Sequence, residues 1–167
     1  MTTDPHAIDA KVYNELVARA HLRNIRLTGN RFDLRPEALQ LDPESWRHSI
    51  EGQVEECFLE PETGALYGIV AFGVSSRHAR KRVLSATATY MVSYRIQGEG
   101  DAEACELFMD RVGKVAAYPY FRTLVATLVA GAGMNMPPLP IYSLAPRTLA
   151  SAAGMEVVSD PRRLTKG

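Results

Sequence analysis

The strongest constraint on the fold is an alternation of apolar and polar side chains between residues 83 and 97. Residues of one parity are apolar and those of the other are mostly small and polar: Leu84, Ala86, Ala88, Tyr90, Val92, Tyr94 and Ile96 against Ser85, Thr87, Thr89, Met91, Ser93 and Arg95. Successive side chains of a strand point to opposite faces of a sheet. The pattern predicts a long strand with one buried face, as in an antiparallel sheet.

Three further segments predict strands that join this one. In residues 48–60, Ile50, Val54 and Phe58 share a parity, and the turn sequence Pro61-Glu62-Thr63-Gly64 separates this segment from a strand at 65–76. Residues 21–35 change phase at Thr28-Gly29-Asn30, which predicts a β-bulge. The segments 48–60, 65–76 and 83–97 predict an antiparallel meander with one covered face, and the four segments together predict a four-stranded antiparallel sheet.

Helical periodicity appears before and after the strands. Residues 5–19 predict an amphipathic helix, which would serve either as a docking arm or as a helix packed on the domain. Asp101 is a candidate N-cap for a helix with Cys105, Phe108, Met109, Val112 and Val115 on one stripe. Pro119 predicts the start of a third helix over Tyr120–Ala130. That helix is apolar nearly all round, so more than one side must be covered, most simply by a second copy of the chain.

A proline-rich loop follows this helix. Residues 134–140 read Met-Asn-Met-Pro-Pro-Leu-Pro, and three prolines exclude a helix or an inner strand. Flexible, polarisable methionines suit a surface that adapts to many partners, but the same side chains would also anchor the loop to its own core. Residues 145–153 predict a short C-terminal helix, and residues 155–167 a loose tail.

The composition limits the classes of protein to which the chain can belong. The chain has 167 residues, with 19 basic and 19 acidic side chains, which argues against a basic nucleic-acid binder and against an acidic disordered segment. The two cysteines, Cys57 and Cys105, form no disulfide framework and favour a reducing compartment, the cytoplasm. The most apolar stretch is too interrupted to insert in a membrane. The basic run 77–82 lies at the turn between two predicted strands. It would be either a solvated hairpin tip or a docking patch.

No pattern in the chain indicates catalysis. The four histidines are far apart, with no second ligand at metal spacing, so no metal site is predicted. Nucleotide-binding loops and nucleophile elbows are absent from the sequence, so no cofactor is predicted. We therefore expect a protein that is not an enzyme.

The order of these pieces resembles the SecB family of export chaperones over residues 21–146. The resemblance rests on two motifs. One is Tyr118-Pro119-Tyr120-Phe121-Arg122, which is similar to the start of the family's long helix. The other is Met136-Pro137-Pro138-Leu139-Pro140-Ile141, which is similar to its crossover loop. Arg31-Phe32-Asp33-Leu34 resembles the end of the family's first strand. The resemblance implies an α+β fold comprising a four-stranded antiparallel sheet, a long apolar helix, a proline-rich crossover loop and a short C-terminal helix. The implied organisation is an N-terminal helix or arm at 1–20, a SecB-like domain at 21–154 and a flexible tail at 155–167.

The resemblance also implies a function. SecB-like proteins bind unfolded or non-native polypeptides in apolar grooves without ATP, as homotetramers built as a dimer of dimers. If the family's groove is carried over to this sequence, the residues that line it would be Trp46, Met134, Met136, Leu139, Ile141 and Tyr142. The long helix would supply the oligomer interface: Tyr120, Phe121, Leu124, Val125, Leu128 and Val129.

The partners implied are unfolded clients and the SecA motor. Because the family is usually acidic and this chain is neutral, a SecB-like chaperone dedicated to an antitoxin of a toxin-antitoxin system fits as well. The alternative is an oligomeric interaction or ligand-binding protein that has the SecB fold without chaperone activity.

Overall fold

The computed structural model describes residues 10–142 and the backbone of residues 156–157. Its elements follow one another as α1 (Ala10–Arg19), β1 (Ala20–Leu34), two 3-10 turns (Pro36–Gln40 and Pro43–Ser45), β2 (Arg47–Glu60), β3 (Ala65–His78), β4 (Lys81–Ile96), α2 (Ala102–Phe108), a π-helical turn (Met109–Gly113), α3 (Lys114–Gly131) and β5 (Glu156–Val157).

The strands form one sheet in the order β1-β4-β3-β2-β5. The first four are antiparallel to their neighbours, which confirms the predicted four-stranded antiparallel sheet. The short strand β5 pairs in parallel with β2, with Glu156 opposite Ser49 and Val157 opposite Ile50. The prediction of a loose tail from residue 155 is therefore wrong for these two residues. A strand of two residues is too short to show an alternation of apolar and polar side chains, so the sequence gives no signal for it.

The helices pack on one face of the sheet, here called the inner face. The predicted apolar parity lies there, and Leu66, Val70, Leu84 and Val92 are each at most 1% exposed. The predicted N-cap is also confirmed, because the Asp101 carboxylate accepts a hydrogen bond of 2.9 Å from the Ala104 amide. The other face, here called the outer face, carries no helix of the described residues. The result is a two-layer α+β fold.

Three register shifts interrupt the pairing of the flanking strands β1 and β2, at Arg23, Thr28 and Glu55. The predicted break in β1 is confirmed, because pairing with β4 skips Thr28 between Leu27 and Gly29. Pairing of β2 with β3 also skips Glu55, which the sequence did not indicate. The extra residue moves Phe58 to the outer face, where it is 59% exposed, and turns Cys57 and Leu59 toward the core. The prediction that Phe58 shares a face with Ile50 and Val54 is therefore wrong.

The helical segment is longer than predicted and contains a second phase shift. Pro119 lies inside α3 rather than at its start, and the chain is helical from Ala102 to Gly131. An interior proline costs about 3 kcal/mol relative to alanine. Burial of Ala117, Tyr118 and Phe121 on one continuous helix face offsets this cost. Upstream, the π turn inserts one residue, so that Val115 is 43% exposed and leaves the predicted apolar stripe.

The N-terminal helix is packed on the domain. It begins at Ala10, and Leu16 is 1% exposed within the same core as the sheet. Of the two interpretations of this helix, the structure favours packing over a free arm. Residues 5–9 of the predicted helix and the predicted short helix at 145–153 lie outside the described residues.

Candidate functional site

An aromatic cluster joins the sheet to α3 and to the loop after it. Phe72, on the inner face of β3, is the centre. Its ring centroid lies 5.4 Å from Phe121 in a stacked arrangement, 5.6 Å from Tyr118 and 5.9 Å from Tyr142 in edge-to-face arrangements. Aromatic pairs at such distances contribute about 0.5–1.5 kcal/mol each beyond the area they bury. The cluster therefore fixes where the loop crosses the sheet.

Tyr118 ties the loop to the helix. Its hydroxyl donates a hydrogen bond of 2.7 Å to the Pro140 carbonyl oxygen, and its ring lies 4.9 Å from that of Tyr142. Burial raises the pKa of Tyr118 to about 12, and burial together with Asp110 raises the pKa of Tyr142. Both phenols therefore stay protonated at neutral pH, so Tyr118 remains a donor.

Glycine in β2 provides room for this crossing. A Cβ atom at Gly52 would lie 2.8 Å from the Phe72 ring and 3.0 Å from the Tyr142 hydroxyl oxygen. No larger residue fits there without moving an aromatic ring. The backbone of β2 thus supports Tyr142 directly.

Beyond this anchor, a cavity of about 140 Å³ opens between the C-terminal half of α3 and the loop. The helix and the loop contribute Val125, Ala126, Val129, Ala130, Met134, Asn135, Met136, Pro137, Pro138 and Leu139. Asn135 is the one polar side chain among them. A dry apolar cavity of about 150 Å³ can hold a benzene molecule, so this one is large enough for a single aliphatic or aromatic side chain.

Five of the six predicted groove residues lie in three different environments. Met134, Met136 and Leu139 line the cavity, with Leu139 itself 2% exposed. Tyr142 belongs to the aromatic cluster, and Ile141 is 80% exposed. The six residues therefore do not form one surface.

Trp46 lies apart from the cavity. It is 1% exposed and neighbours His48, with ring centroids 6.4 Å apart. Its indole nitrogen has no hydrogen-bond partner among the described residues. The expectation that Trp46 lines the groove is wrong for this conformation, because the turn Pro43–Ser45 and β2 bring the indole into the core.

The predicted interface residues also divide. Phe121, Val125 and Val129 are each at most 2% exposed and pack inside the chain itself, so they are unavailable to a second copy. Val125 and Val129 line the cavity instead. Tyr120 is 53% exposed, and Leu124 and Leu128 are half-buried on the flank of α3 away from Ala126 and Ala130. Only these three remain as candidates for contact with another copy.

Sequence reasoning missed the helix side of the cavity. Ala126 and Ala130 lie one turn apart beside Val125 and Val129, and their small side chains leave space under the loop. A pair of alanines at i and i+4 just before a proline-rich loop was a recognisable signal. The roles of Phe72 and Tyr118 depend on the tertiary contact and had no such signal.

The two cysteines of the chain are at least partly buried. Burial, followed by the neighbouring Cys105 and Glu106, raises the pKa of Cys57 to about 11, and burial raises the pKa of Cys105. Neither thiol is a thiolate nucleophile at neutral pH. In the described part of the chain, no group of His, Cys, Asp or Glu has an arrangement that could hold a metal ion. No helix within residues 10–142 is long and apolar enough to cross a bilayer.

The fold is similar to that of proteins with solved structures. No family model and no curated protein matches the chain. The fold is similar to that of the Mycobacterium tuberculosis SecB-like chaperone Rv1957, solved in complex with a ChAD peptide from the Rv1956 HigA1 antitoxin. The TM-score is 0.67 at 20% identity, covering 81% of this chain and 99% of Rv1957.

A protein of unknown function from Streptococcus agalactiae also matches, over 72% of this chain and 96% of that one. Its TM-score is 0.33 at 11% identity, too low to bear on the fold. On the strength of the similarity to Rv1957, the chain has a SecB-like fold.

Proposed function

We propose that this protein is an ATP-independent chaperone, a holdase that binds unfolded or non-native polypeptides. The observation that supports this most is the apolar cavity between α3 and the proline-rich loop. The exposed Ile141, one residue beyond the Pro140 anchor, extends the apolar surface past the cavity. The similar fold of a chaperone solved with a bound peptide supports the same function.

The size of the cavity determines the mode of binding. One buried aliphatic or aromatic side chain contributes about 1.5–3 kcal/mol, which alone gives weak, quickly reversible binding. A long unfolded chain reaches several such cavities on one oligomer, and their effects combine through effective concentration. Release then follows from folding of the client or from transfer to a partner, without hydrolysis of ATP.

We further propose that the client is an antitoxin and that the protein acts in the cytoplasm. The similar chaperone Rv1957 was solved with an antitoxin peptide, which favours this client over a general export substrate. Docking to SecA is the competing proposal, and it is less supported because the outer face of the sheet here carries both charge signs. Cys57 and Cys105 are free thiols, as expected in a reducing compartment.

The assembly we propose is a homotetramer in which α3 contributes one contact. Tyr120, Leu124 and Leu128 leave apolar area uncovered on the flank of α3 that is away from the cavity. A second copy that covered this flank would leave the cavity open to a client. Tetramers with dihedral symmetry are common among homo-oligomers.

The decisive experiment is suppression of aggregation. The wild-type protein, at stoichiometric amounts and without ATP, is expected to keep a reduced, unfolded model protein in solution. Ala126→Trp fills the cavity from the helix side and is expected to weaken suppression at least tenfold. Thr123→Trp is the matched control, since Thr123 is exposed on the same helix and does not line the cavity.

Two results would contradict the proposal. If the wild-type protein leaves aggregation unchanged, the alternative of a SecB-fold interaction protein without chaperone activity is favoured. If Ala126→Trp and Thr123→Trp behave alike and both suppress aggregation fully, clients bind elsewhere. Binding of a labelled antitoxin peptide compared with a labelled SecA fragment separates the two client proposals.

A further inference from the structure

Four exposed arginines, here called the arginine row, lie side by side at one end of the outer face of the sheet. Arg47 pairs with Arg77 across β2 and β3, and Arg77 pairs with Arg82 across β3 and β4. Residues directly opposite one another on neighbouring strands share a face. The fourth, Arg35, follows β1 directly. Its amide donates a hydrogen bond of 2.9 Å to the carbonyl oxygen of Val83, which is next to Arg82 in the chain.

The acids near the arginine row do not neutralise it. On the outer face, Asp33 is held by Arg31 at 2.8 Å. Glu51 lies four residues along β2 from Arg47, roughly 14 Å away. The two 3-10 turns beside the row carry three more acids, none of which forms an ion pair with the row within residues 10–142: Glu37, Asp42 and Glu44.

The arginine row lowers the stability of the sheet that carries it. Like charges directly opposite one another on neighbouring strands repel and are destabilising. Arg77 meets this repulsion on both sides, from Arg47 and from Arg82. The β3–β4 hairpin adds two more exposed bases, Arg80 and Lys81. Positive charge of this density, without compensation in the described part of the chain, favours an anionic partner.

A row of serines lies directly beside the arginine row. Ser49 pairs with Ser75, and Ser75 pairs with Ser85, and all three are half-buried on the outer face. Their hydroxyls can donate hydrogen bonds, and their short side chains leave room for the longer guanidinium groups to converge on one anion. A guanidinium group binds a carboxylate through two parallel N–H···O bonds, and a neighbouring hydroxyl adds a third donor.

The length of the arginine row suits an extended acidic peptide. The row crosses four strands, so its ends are three strand spacings apart, roughly 14 Å. In an extended peptide, the side chains of residues i, i+2 and i+4 point the same way and also span roughly 14 Å. Three carboxylates at alternate positions of one segment therefore lie opposite the row, each within reach of one or two guanidinium groups.

The surroundings of the row suit nucleic acid less well. Single strands bind where aromatic side chains stack on successive bases along a basic groove. The aromatic residues of the outer face, Phe58 and Tyr67, pair with each other near the opposite end of β2 and β3, and Trp46 is buried. Asp33 and Glu51 would also repel a phosphate backbone that continued beyond the row.

We propose that the arginine row, together with the serines beside it, binds an acidic segment of a partner protein in an extended conformation. The positive charge raises the rate of association, and the bidentate pairs fix the position of the segment. Of the two interpretations of the basic run 77–82, the proposal takes the docking patch. The site is separate from the cavity, which lies on the helix-covered side of the sheet, so the proposal does not depend on chaperone activity.

Fluorescence anisotropy of labelled peptides, measured with the full chain in low salt, tests the proposal. The probe is a peptide of alternating glutamate and serine, and the same peptide with glutamine in place of glutamate is the control for charge. We expect the wild type to bind only the glutamate peptide, and added salt to weaken this binding. Arg77→Ser with Arg82→Ser is expected to weaken it at least about tenfold, because two charge-assisted contacts are lost.

The matched control removes two exposed arginines near the start of β1. Arg23→Ser with Arg26→Ser lowers the net charge by the same amount and is expected to bind the glutamate peptide almost as tightly as the wild type. Arg77→Ser with Arg82→Ser relieves repulsion and is expected not to lower the thermal midpoint, so its loss of binding is not loss of fold. Ala126→Trp, which fills the cavity, is expected to leave peptide binding unchanged and so separates this site from the chaperone proposal.

Equal binding of the two peptides by the wild type, or binding of neither, would overturn the proposal. Equal losses in the two double variants would do the same, because they would assign the effect to overall charge. The row is a nucleic-acid site instead if a single-stranded oligothymidylate binds more tightly than the glutamate peptide and Arg77→Ser with Arg82→Ser abolishes this binding. Loss of peptide binding in Ala126→Trp would place the peptide in the cavity, which also contradicts the proposal.

Discussion

The hydroxyl of Tyr118 donates a hydrogen bond to the carbonyl oxygen of Pro140, 22 residues further along the chain, at 2.7 Å. The bond joins the middle of α3 to the end of the proline-rich loop. Because Pro140 follows Leu139, the last residue of the cavity wall, the bond also fixes one end of that wall. The loop cannot move outward as a unit without breaking it.

Removing this bond should loosen the loop. We expect Tyr118→Phe to lower the free energy of unfolding by about 1–2 kcal/mol, because the Pro140 carbonyl loses its donor while partly buried. Urea unfolding measures the loss, and faster amide exchange at residues 134–142 locates it. Tyr120→Phe is the control, since Tyr120 is 53% exposed, and it should change neither quantity.

The crossing of the loop over β2 can be tested at Gly52. A methyl group there would overlap the Phe72 ring and press on Tyr142. We expect Gly52→Ala to cost about 1–3 kcal/mol in unfolding free energy, as overpacking does. At Gly73, on the neighbouring strand, the nearest atom to an added Cβ is 3.8 Å away, so Gly73→Ala should be neutral or slightly stabilising. Equal effects at the two glycines would contradict this packing.

The β3–β4 hairpin carries a strained residue. Ala79 has φ of 53°, and with Arg80 it forms the two-residue loop between His78 and Lys81. A positive φ at the first loop position favours glycine. We therefore expect Ala79→Gly to raise the free energy of unfolding by up to about 1 kcal/mol. Ala79→Val should lower it, and thermal unfolding of the two variants measures both effects.

Stability should decline on mild acidification because of His48. Its Nδ1 lies 2.7 Å from the Ser76 hydroxyl, it is 6% exposed, and burial lowers the pKa of His48 below its usual 6.5. As pH falls through 6.5, the unfolded chain binds a proton that the folded chain does not, so the free energy of unfolding decreases until the lower folded pKa is reached. Above 6.5 this contribution is fully present.

Urea unfolding at pH 8 and pH 5 would measure this dependence. His48→Asn should remove the part of the pH dependence that belongs to this site, and His78→Gln should keep it. The prediction is wrong if the His48→Asn variant has the same pH dependence as the wild type.

Much of the fold could be predicted from local patterns. The parity of β4 and the break at Thr28 agree with the structure, as does the Asp101 cap. These features arise from side-chain alternation and from short-range hydrogen bonds, which adjacent residues encode.

The rest of the fold and the candidate site were predicted less well, because they depend on inserted residues and on long-range packing. The bulge at Glu55 and the π turn before Lys114 each add one residue to a regular element, which reverses or rotates the side chains of the next residues. Phe58 and Val115 consequently left the faces that their spacing indicated. Nothing in the local hydrophobic pattern distinguishes these positions from regular ones.

The sequence by itself determined the four strands, the apolar character of α3 and the stiffness of the proline-rich loop, since alternation, helical period and proline geometry are local properties. Only the tertiary structure decided which flank of α3 meets the loop. It therefore placed Val125 and Val129 beside Met134 and Met136 in one cavity and left Tyr120 exposed. The reason is that α3 is apolar nearly all round, so its hydrophobicity fits several packings, and the contacts of Tyr118 with Pro140 and Tyr142 select one.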